Sequence, residues 1–214
     1  MTVTDIIEYK KGKYRICLND EFAFVLYTSE LKDHGIKAGA ELSEASYEAI
    51  VNNVLKKRCR AYALHILKKQ DRTVRELRSK LSEALYPEEV IDDALSYVSS
   101  LHYVDDVRYS ENYIRSVCGR LSLFEIKTKL LSKGVAAEDI ESAIENCRDE
   151  NILDEDTETG LLKKLLLKKL RSFEGKPDDR EKERIFASLY RKGFRLSDIE
   201  RVYEEIGGDM FYLT

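Results

Sequence analysis

Two short amphipathic helices joined by a turn are predicted by residues 72–106, RTVRELRSKLSEALYPEEVIDDALSYVSSLHYVDD. The same apolar pattern returns 49 residues later, where Ile126 and Leu130 stand in place of Leu77 and Leu81. A third copy follows after another 59 residues. A period of this length in helical sequence is typical of stacked supersecondary units, so the chain is predicted to be a tandem repeat protein.

Capping signals recur with the same spacing. Thr73 precedes Glu76 by three residues, and Ser122 precedes Glu125 by three residues at the equivalent place in the second copy. This spacing is typical of a capping box at the start of a helix. Since the two boxes lie 49 residues apart, they support a true structural repeat.

Three segments of the repeats carry a resemblance to a known family. They are EL-x-x-KL at residues 76–81, LHYVDD-x-RY at 101–109 and LLSKGV-x-x-x-x-I at 130–140. The tandem order of such units, from the N-terminal strands to about Ile206, resembles the RecX family of modulators of the RecA recombinase. The resemblance implies a regulatory protein of homologous recombination, DNA repair and the SOS response. It implies binding to the RecA filament on single-stranded DNA, with inhibition of ATP hydrolysis, strand exchange and filament growth.

Positions that end helices follow the family pattern only in part. Gly134 and Gly193 stand after the second helix of copies two and three, where a left-handed backbone ends a helix. In copy one, Leu85 and Tyr86 replace the usual Lys-Gly. His102 stands where the family has Gly before an aromatic residue, and we interpret it as a helix C-terminal residue before a structural loop.

The predicted fold class is mainly α, with tandem three-helix, helix-turn-helix-like repeats in an elongated curved array behind a small N-terminal antiparallel β-meander. The predicted segments are 1–57 for the meander and a helical connector, 58–106, 107–154 and 155–206 for the three repeats, and 207–214 for a C-terminal tail.

The N-terminal residues alternate in the manner of strands. Turn dipeptides at 11–12 and 19–20 separate three runs, and Phe22, Phe24 and Leu26 are expected to share one face of the third run. Such a face is too small to be stable alone, so the sheet should pack on the helices that follow.

Helical segments connect this sheet to the first repeat. A short helix is predicted to start near Thr28 and stop at Gly35, and Ser43 is expected to cap a longer one. The longer helix either continues unbroken to Leu67 or kinks near residues 56–57, and the sequence leaves both possibilities open.

The first helices of the repeats should bury one face each. In repeat one that face is predicted to contain Ala61 and Leu64, with Ile66 and Leu67 beside them. The helix at 161–171 alternates leucines and lysines, which is compatible with a membrane-surface helix or with core packing. Its place as the first helix of a repeat favours core packing, and the expected buried residues are Leu162, Leu165, Leu166 and Leu170.

Charge alternates in step with the repeat, although the net charge is only −4. Lys and Arg outnumber acids ten to two in 56–80, five to one in 113–134 and six to one in 161–176. Acids outnumber Lys and Arg eight to one in 81–112 and ten to one in 135–160. In a stacked array the basic bands could merge into one binding stripe. Alternatively, opposite charges neutralise neighbouring repeats and nothing binds there.

We expect the contact stripe for the filament or DNA to consist of basic side chains of the first and second helices. Its predicted members are Arg72, Arg75, Arg78, Lys80, Arg115, Arg120, Lys127, Lys129, Lys163, Lys164, Lys168, Lys169 and Arg171. Reversing Arg78 and Lys127 together to Glu is expected to weaken filament binding and to leave helicity intact.

Catalytic and ligand-binding motifs are missing from the pattern. The histidines at 34, 65 and 102 have no metal-ligand spacing, and neither a phosphate-binding glycine loop nor a nucleophile elbow is present. We therefore predict no enzyme activity, metal or cofactor. Four unpaired cysteines without a signal peptide indicate a cytoplasmic protein, which we expect to be a monomer without a membrane span.

Two other functions stay open. Three-helix units with basic second helices also occur in proteins that bind DNA directly, and such binding would be weak and salt-sensitive here because the total charge is negative. The remaining alternative is a structural adaptor for another protein.

Overall fold

A three-stranded antiparallel sheet opens the chain in the computed structural model of this protein, which describes residues 1–173 and 177–211. Its strands are β1 (Val3–Lys10), β2 (Lys13–Leu18) and β3 (Glu21–Tyr27), in the order β1-β2-β3. Asn19 and Asp20 form the second hairpin turn at φ of 50° and 68°, which short polar residues tolerate. The predicted meander is confirmed.

A β-bulge changes the side on which Phe22 lies. Ile16 pairs with Phe24, but the next residue, Cys17, pairs with Phe22, so Ala23 is the extra residue. The inserted residue turns Phe22 away from the buried face that contains Phe24. Phe22 is 38% exposed and lies 5.0 Å from the Arg15 guanidinium. The prediction that Phe22 shares a face with Phe24 is therefore wrong.

Helices, joined by loops and turns, follow the sheet in the described chain. The helices are α1 (Thr28–Asp33), α2 (Glu44–Ile50), α3 (Lys56–Lys69), α4 (Val74–Glu83), α5 (Glu88–Ser100), α6 (Asp106–Val117), α7 (Leu123–Ser132), α8 (Ala137–Asp149), α9 (Glu155–Leu170), α10 (Asp179–Tyr190) and α11 (Leu196–Phe211). Tandem three-helix repeats are confirmed, each pairing its first helix with its third: α3 with α5, α6 with α8 and α9 with α11. The exact repeat boundaries stay predictions.

A π-helical stretch, Val51–Leu55, joins α2 to α3 without a break. The backbone stays right-handed through this stretch, and the Lys56 N–H donates to the Val51 carbonyl. The unbroken helix is thus the correct alternative. Its buried row continues into α3 as Cys59 and Ala63, two small residues that let α3 approach α5.

The face predicted for α3 is therefore partly wrong. Ala61 is exposed, because it lies off the row of buried residues spaced four apart. Leu64, Ile66 and Leu67 are partly buried and pack against the core.

Helix ends follow the predicted capping signals. Thr73 and Ser122 are N-caps of α4 and α7, and Ser122 forms the complete capping box with Glu125. After α4 and α7, Leu85 and Gly134 adopt φ of 65° and 82°. The following N–H groups donate back across the turn, which satisfies helix carbonyls in the Schellman manner.

The end of the third helix uses the same device. His102 and Asn151, 49 residues apart, adopt φ of 55° and 57° after α5 and α8. The interpretation of His102 as a helix-ending residue is confirmed. Asp154 is the N-cap of α9, where its carboxylate accepts from the Thr157 N–H.

The chain divides into two compact units, residues 1–105 and residues from 106 onward. In the first unit, one apolar cluster unites the sheet with the first repeat, as predicted for a sheet too small to stand alone. In the second unit the described residues form two clusters, one in each repeat.

In the C-terminal part, the structure confirms the prediction for α9 and differs from the prediction for α11. Leu162, Leu166 and Leu170 are buried in the core of repeat three, so core packing of α9 is confirmed, and Leu165 is partly buried. Helix α11 continues through Phe211, into the segment predicted as a tail at 207–214, and residues 212–214 lie outside the described part. Among the described helices, none combines the length and apolar character needed to cross a membrane.

Candidate partner-binding surface

The second helix of repeats one and two carries a cation that binds the third helix of the same repeat. The Arg78 guanidinium donates to Glu88 at 2.7 Å and to Asp92 at 2.5 Å. The Lys127 ammonium donates to Glu141 at 2.5 Å. Asp92 and Glu141 are 49 residues apart, as are Arg78 and Lys127. The same cross-helix ion pair therefore recurs in both repeats.

These pairs change the interpretation of the alternating charge. Basic second helices and acidic third helices neutralise each other inside a repeat, whereas the sequence suggested neutralisation between repeats. The hydrogen bond from Arg78 to Asp92 raises the pKa of that guanidinium. The side chains of Asp92 and Glu141 are 60% and 59% exposed. Such exposed pairs contribute only about 0.2–1 kcal/mol, so a charged partner can replace them at small cost.

Other predicted stripe residues are also engaged locally. Their partners are Gln70 and Glu76 for Arg72, Glu83 for Lys80, Glu150 for Arg115, and the Ser116 carbonyl for Arg120. In the second unit, Arg115 belongs to α6 and Lys127 to α7, so the stripe residues come from different helices.

The remaining predicted cations have no ion pair among the residues that the structure describes. The exposed ones are Arg75, Lys129, Lys163, Lys164, Lys168 and Arg171, and Lys169 is half-buried. Arg75 belongs to α4 and Lys129 to α7. A partner meets these charges without first breaking an internal pair.

Exposed apolar residues on the second helices were missed by the sequence reasoning. Phe124 and Leu131 on α7 are 55% and 50% exposed, and Tyr190 on α10 is 65% exposed. Leu131 and Tyr190 are equivalent positions, 59 residues apart. The sequence did contain a signal of this exposure, because Phe124 and Leu131 lie outside the row of Ile126 and Leu130, which is buried. Exposed apolar residues beside cations are typical of protein interfaces.

A groove of about 920 Å³ separates repeats two and three within the second unit. Its walls mix apolar and charged side chains: Leu123, Phe124, Lys127, Arg148, Leu153, Asp154, Glu158, Thr159, Leu162, Gly193, Phe194, Arg195, Asp198 and Arg201. The groove brings Lys127, a predicted contact residue, together with the exposed ring of Phe124.

Partly buried polar contacts connect repeats two and three beside this groove. The Lys192 ammonium donates to Glu125 at 2.6 Å, and the Ser122 hydroxyl donates to the Lys192 carbonyl. Burial opposes ionisation of Glu125, but hydrogen bonds from Lys192 and Ser122 outweigh it and lower the pKa of that carboxyl. The Leu123 N–H donates to Glu158 at 2.5 Å. Burial nevertheless raises the pKa of Glu158.

Ligand sets for metals do not occur in the part of the chain that the structure describes. Among the side chains that the structure describes, no three of His, Cys, Asp or Glu converge in a way that could hold an ion. The candidate site consists of the exposed cations and apolar side chains described above.

Comparison with known proteins gives this surface a family context. Two domain models match the chain: "RecX, first three-helix domain" over residues 59–97 and "RecX, third three-helix domain" over residues 156–203. The chain is similar to "Regulatory protein RecX" of Clostridium tetani, with 26% identity over 95% of this chain and 94% of that protein. It is also similar to the protein of that name from Caldanaerobacter subterraneus subsp. tengcongensis, with 28% identity over 94% of this chain and 98% of the relative.

Solved structures agree with the sequence comparison. A crystal structure of regulatory protein RecX superposes with a TM-score of 0.65 at 27% identity, covering 95% of this chain and 98% of that one. A crystal structure of RecX from Lactobacillus salivarius, with a TM-score of 0.61 and 22% identity over 71% of this chain and 96% of that one, shares the fold.

Fold and surface together define a protein of tandem three-helix domains, with ion pairs between the second and third helices of repeats one and two. The chain belongs to the RecX family of regulatory proteins.

Proposed function

We propose that this protein binds the RecA filament assembled on single-stranded DNA and inhibits its ATP hydrolysis, strand exchange and growth. The observation that carries the proposal is the similarity to regulatory RecX proteins over more than nine-tenths of the chain. The proposal also places the protein in the cytoplasm, acting as a monomer.

The candidate surface supports a protein partner with mixed charge. Arg75 on α4 and Lys129 on α7 offer exposed positive charge, and Phe124 and Leu131 on α7 offer exposed apolar area. The Arg78 and Lys127 ion pairs can open towards acidic groups of the partner, leaving the third-helix acids for its basic groups. Charge complementarity of this kind sets register and association rate more than it sets affinity.

The first experiment measures RecA ATP hydrolysis on single-stranded DNA with increasing amounts of this protein. Suppression at fewer molecules of this protein than of RecA is expected, because a protein bound along the filament affects many subunits. A parallel gel shift on DNA alone measures direct binding. Unchanged ATP hydrolysis at saturating protein would contradict the proposal.

The contact residues need a variant that spares internal ion pairs. Reversing Arg78 and Lys127 to Glu would place like charges beside Glu88, Asp92 and Glu141, so the expectation of unaffected helicity no longer holds. The better double variant is Arg75→Glu with Lys129→Glu, since neither side chain has an ion pair in the described part of the chain.

This double variant is expected to weaken inhibition about ten-fold while its thermal midpoint stays unchanged. The matched control, Lys37→Glu with Lys57→Glu, makes the same charge change at two exposed lysines outside the second helices. Equal loss in variant and control would mean that net charge, and not the proposed surface, governs binding.

Direct DNA binding without RecA remains the second candidate function. One observation favours it, a cavity in the first unit whose lining includes both tyrosines and lysines. High salt should abolish such binding. Tight DNA binding with no effect on RecA beyond competition for DNA would make it the main function.

A further inference from the structure

A cavity of about 320 Å³ lies between the sheet and the first repeat, within the first unit. Its lining combines four tyrosines, four cations and one carboxylate. The tyrosines are Tyr9, Tyr27, Tyr62 and Tyr86; the charged residues are Lys10, Lys13, Arg58, Lys80 and Glu83. This concentration of positive charge stands out in a chain whose net charge is −4.

Arg58 lines the cavity and is held in place by several contacts. Its guanidinium donates to Glu30 at 2.7 Å and to the Val25 carbonyl at 2.6 Å, so its charge is already used. The same guanidinium lies 4.4 Å from the Tyr27 ring centre and 5.6 Å from the Tyr86 ring centre. These contacts hold two aromatic rings at the cavity without any ligand.

The cavity rim keeps lysines and an aromatic face accessible. Lys13 lies 5.0 Å from the Tyr27 ring centre and Lys10 lies 5.7 Å from that of Tyr9. Neither lysine has an ion pair with any described residue. Tyr62 is 37% exposed, and its ring centre lies 6.3 Å from that of Tyr86. Two lysines without an ion pair to any described residue thus lie against the rings of Tyr9 and Tyr27, and the exposed ring of Tyr62 lines the same cavity.

We propose that this cavity binds single-stranded DNA, with an unpaired base against Tyr62 and the flanking phosphates on Lys10 and Lys13. Proteins that bind single strands without sequence preference combine these two elements, aromatic faces for bases and a basic track for the backbone. Duplex DNA fits poorly, because its bases are already stacked inside the helix. An acidic peptide would use the lysines but leave the tyrosine faces without a role.

This inference rests on the second candidate function, direct DNA binding, and needs no contact with RecA. Its location also differs from that of the second-helix surface, because Lys10, Lys13, Tyr9 and Tyr27 belong to the N-terminal strands. Lys80 of α4 also lines the cavity, but it is paired with Glu83. The two proposals can therefore fail separately.

The test is fluorescence anisotropy of the full chain with labelled oligothymidylate of about 16 nucleotides, the upper range of a single small binding domain. Three competitors of equal length are compared: a duplex, a strand with abasic sites, and an RNA strand. Single-stranded DNA is expected to bind at least five-fold more tightly than the abasic strand, because stacking of one base accounts for about that factor or more.

Two variants separate the contributions. Tyr62→Leu keeps an apolar side chain but removes the ring, and it should weaken binding about five-fold or more at unchanged salt dependence. Lys10→Gln with Lys13→Gln should lower the slope of log affinity against log salt by about 1.4, since each lost phosphate contact on a single strand contributes about 0.7.

The matched controls make the same kinds of substitution at positions that do not line the cavity. Tyr103→Leu removes another exposed tyrosine, and Lys11→Gln with Lys57→Gln removes two exposed lysines that do not line the cavity. Circular dichroism melting establishes that each variant is folded. Equal affinity for the duplex or the abasic strand, tighter binding of RNA, or displacement by poly-glutamate at lower concentration than by DNA would overturn the proposal.

Discussion

Gly193 leaves no room for a side chain. Its φ is 91°, and a Cβ atom added there would overlap the side chain of Phe124 in the neighbouring repeat. Gly119 has a similar φ of 69° but open space around it. Gly160 lies inside α9 with neither constraint. Substitutions at these three glycines therefore distinguish the cost of backbone strain from the cost of steric overlap.

The three glycine-to-alanine variants should therefore rank in stability. Gly193→Ala is expected to lower the free energy of unfolding by about 2–4 kcal/mol, since left-handed strain and overpacking add. Gly119→Ala should cost about 1 kcal/mol from the backbone alone. Gly160→Ala should stabilise by about 1 kcal/mol, because alanine favours the helix. Urea denaturation measures all three; equal costs at 193 and 119 would contradict the overlap with Phe124.

Glu158 is a carboxyl whose ionisation opposes folding at neutral pH. Its pKa is raised by burial, and the negative charges of Asp198 and Glu125 add to that shift. A carboxyl with a raised folded-state pKa destabilises the protein once it ionises, so stability falls as pH rises through that pKa. Below the unfolded-state pKa of about 4.3, the carboxyl is protonated in both states and the effect is absent.

Glu158→Gln should therefore stabilise the protein at pH 7. The amide oxygen of glutamine can still accept from the Leu123 N–H, and it carries no charge to bury. The gain should shrink as pH falls and disappear below about pH 4. Urea denaturation at both pH values is the measurement. A variant that is less stable than the parent at pH 7 would show that the carboxylate charge itself is needed.

At the scale of the element, the recurring contact is the ion pair between the second and third helices. Arg78–Asp92 in repeat one and Lys127–Glu141 in repeat two have the same place and similar exposure. In repeat three the position of Lys127 is taken by Phe186, which packs edge-on against Tyr203 with ring centres 5.4 Å apart. An apolar contact thus replaces the ion pair there.

Double-mutant cycles measure how much these pairs contribute. Arg78→Gln combined with Asp92→Asn, and Lys127→Gln combined with Glu141→Gln, should each give a coupling energy of about 0.2–1 kcal/mol. High salt should reduce both values, because exposed charges are screened. A coupling above about 2 kcal/mol would mean that these residues are structural and poor candidates for partner contacts.

The whole molecule contains separate apolar cores. Leu81 belongs to the cluster of the first unit, and Leu130 belongs to the cluster of repeat two in the second. Both side chains are fully buried, and they occupy equivalent positions of two repeats. Each unit therefore has its own source of hydrophobic stabilisation.

Truncating either leucine should destabilise its own unit. Leu81→Ala and Leu130→Ala are each expected to cost about 2–5 kcal/mol. Hydrogen exchange should accelerate within residues 1–105 for the first variant and from residue 106 onward for the second. Equal acceleration in both units after either substitution would contradict independent cores.

Repeats, caps and core rows could be predicted from the sequence, because they rest on interactions between residues close together in the chain. The N-caps Thr73 and Ser122 act within one turn, and buried leucines spaced four apart follow from helix geometry. The left-handed backbone at Gly134 was predictable for the same local reason. Because the sequence pattern recurs, the helices and caps predicted for one repeat could be predicted for all three.

Only the tertiary structure decided which side chains meet across elements. The bulge at Ala23, the exposure of Ala61 and the pairing of Arg78 with Asp92 depend on how strands and helices approach each other. The tyrosine–lysine cavity likewise needs the sheet to lie against repeat one. Periodicity determines the faces of an element, whereas packing between elements determines which of those faces are covered. The sequence by itself therefore determined the repeat and its caps, and the three-dimensional packing decided which charges and rings remain available to a partner.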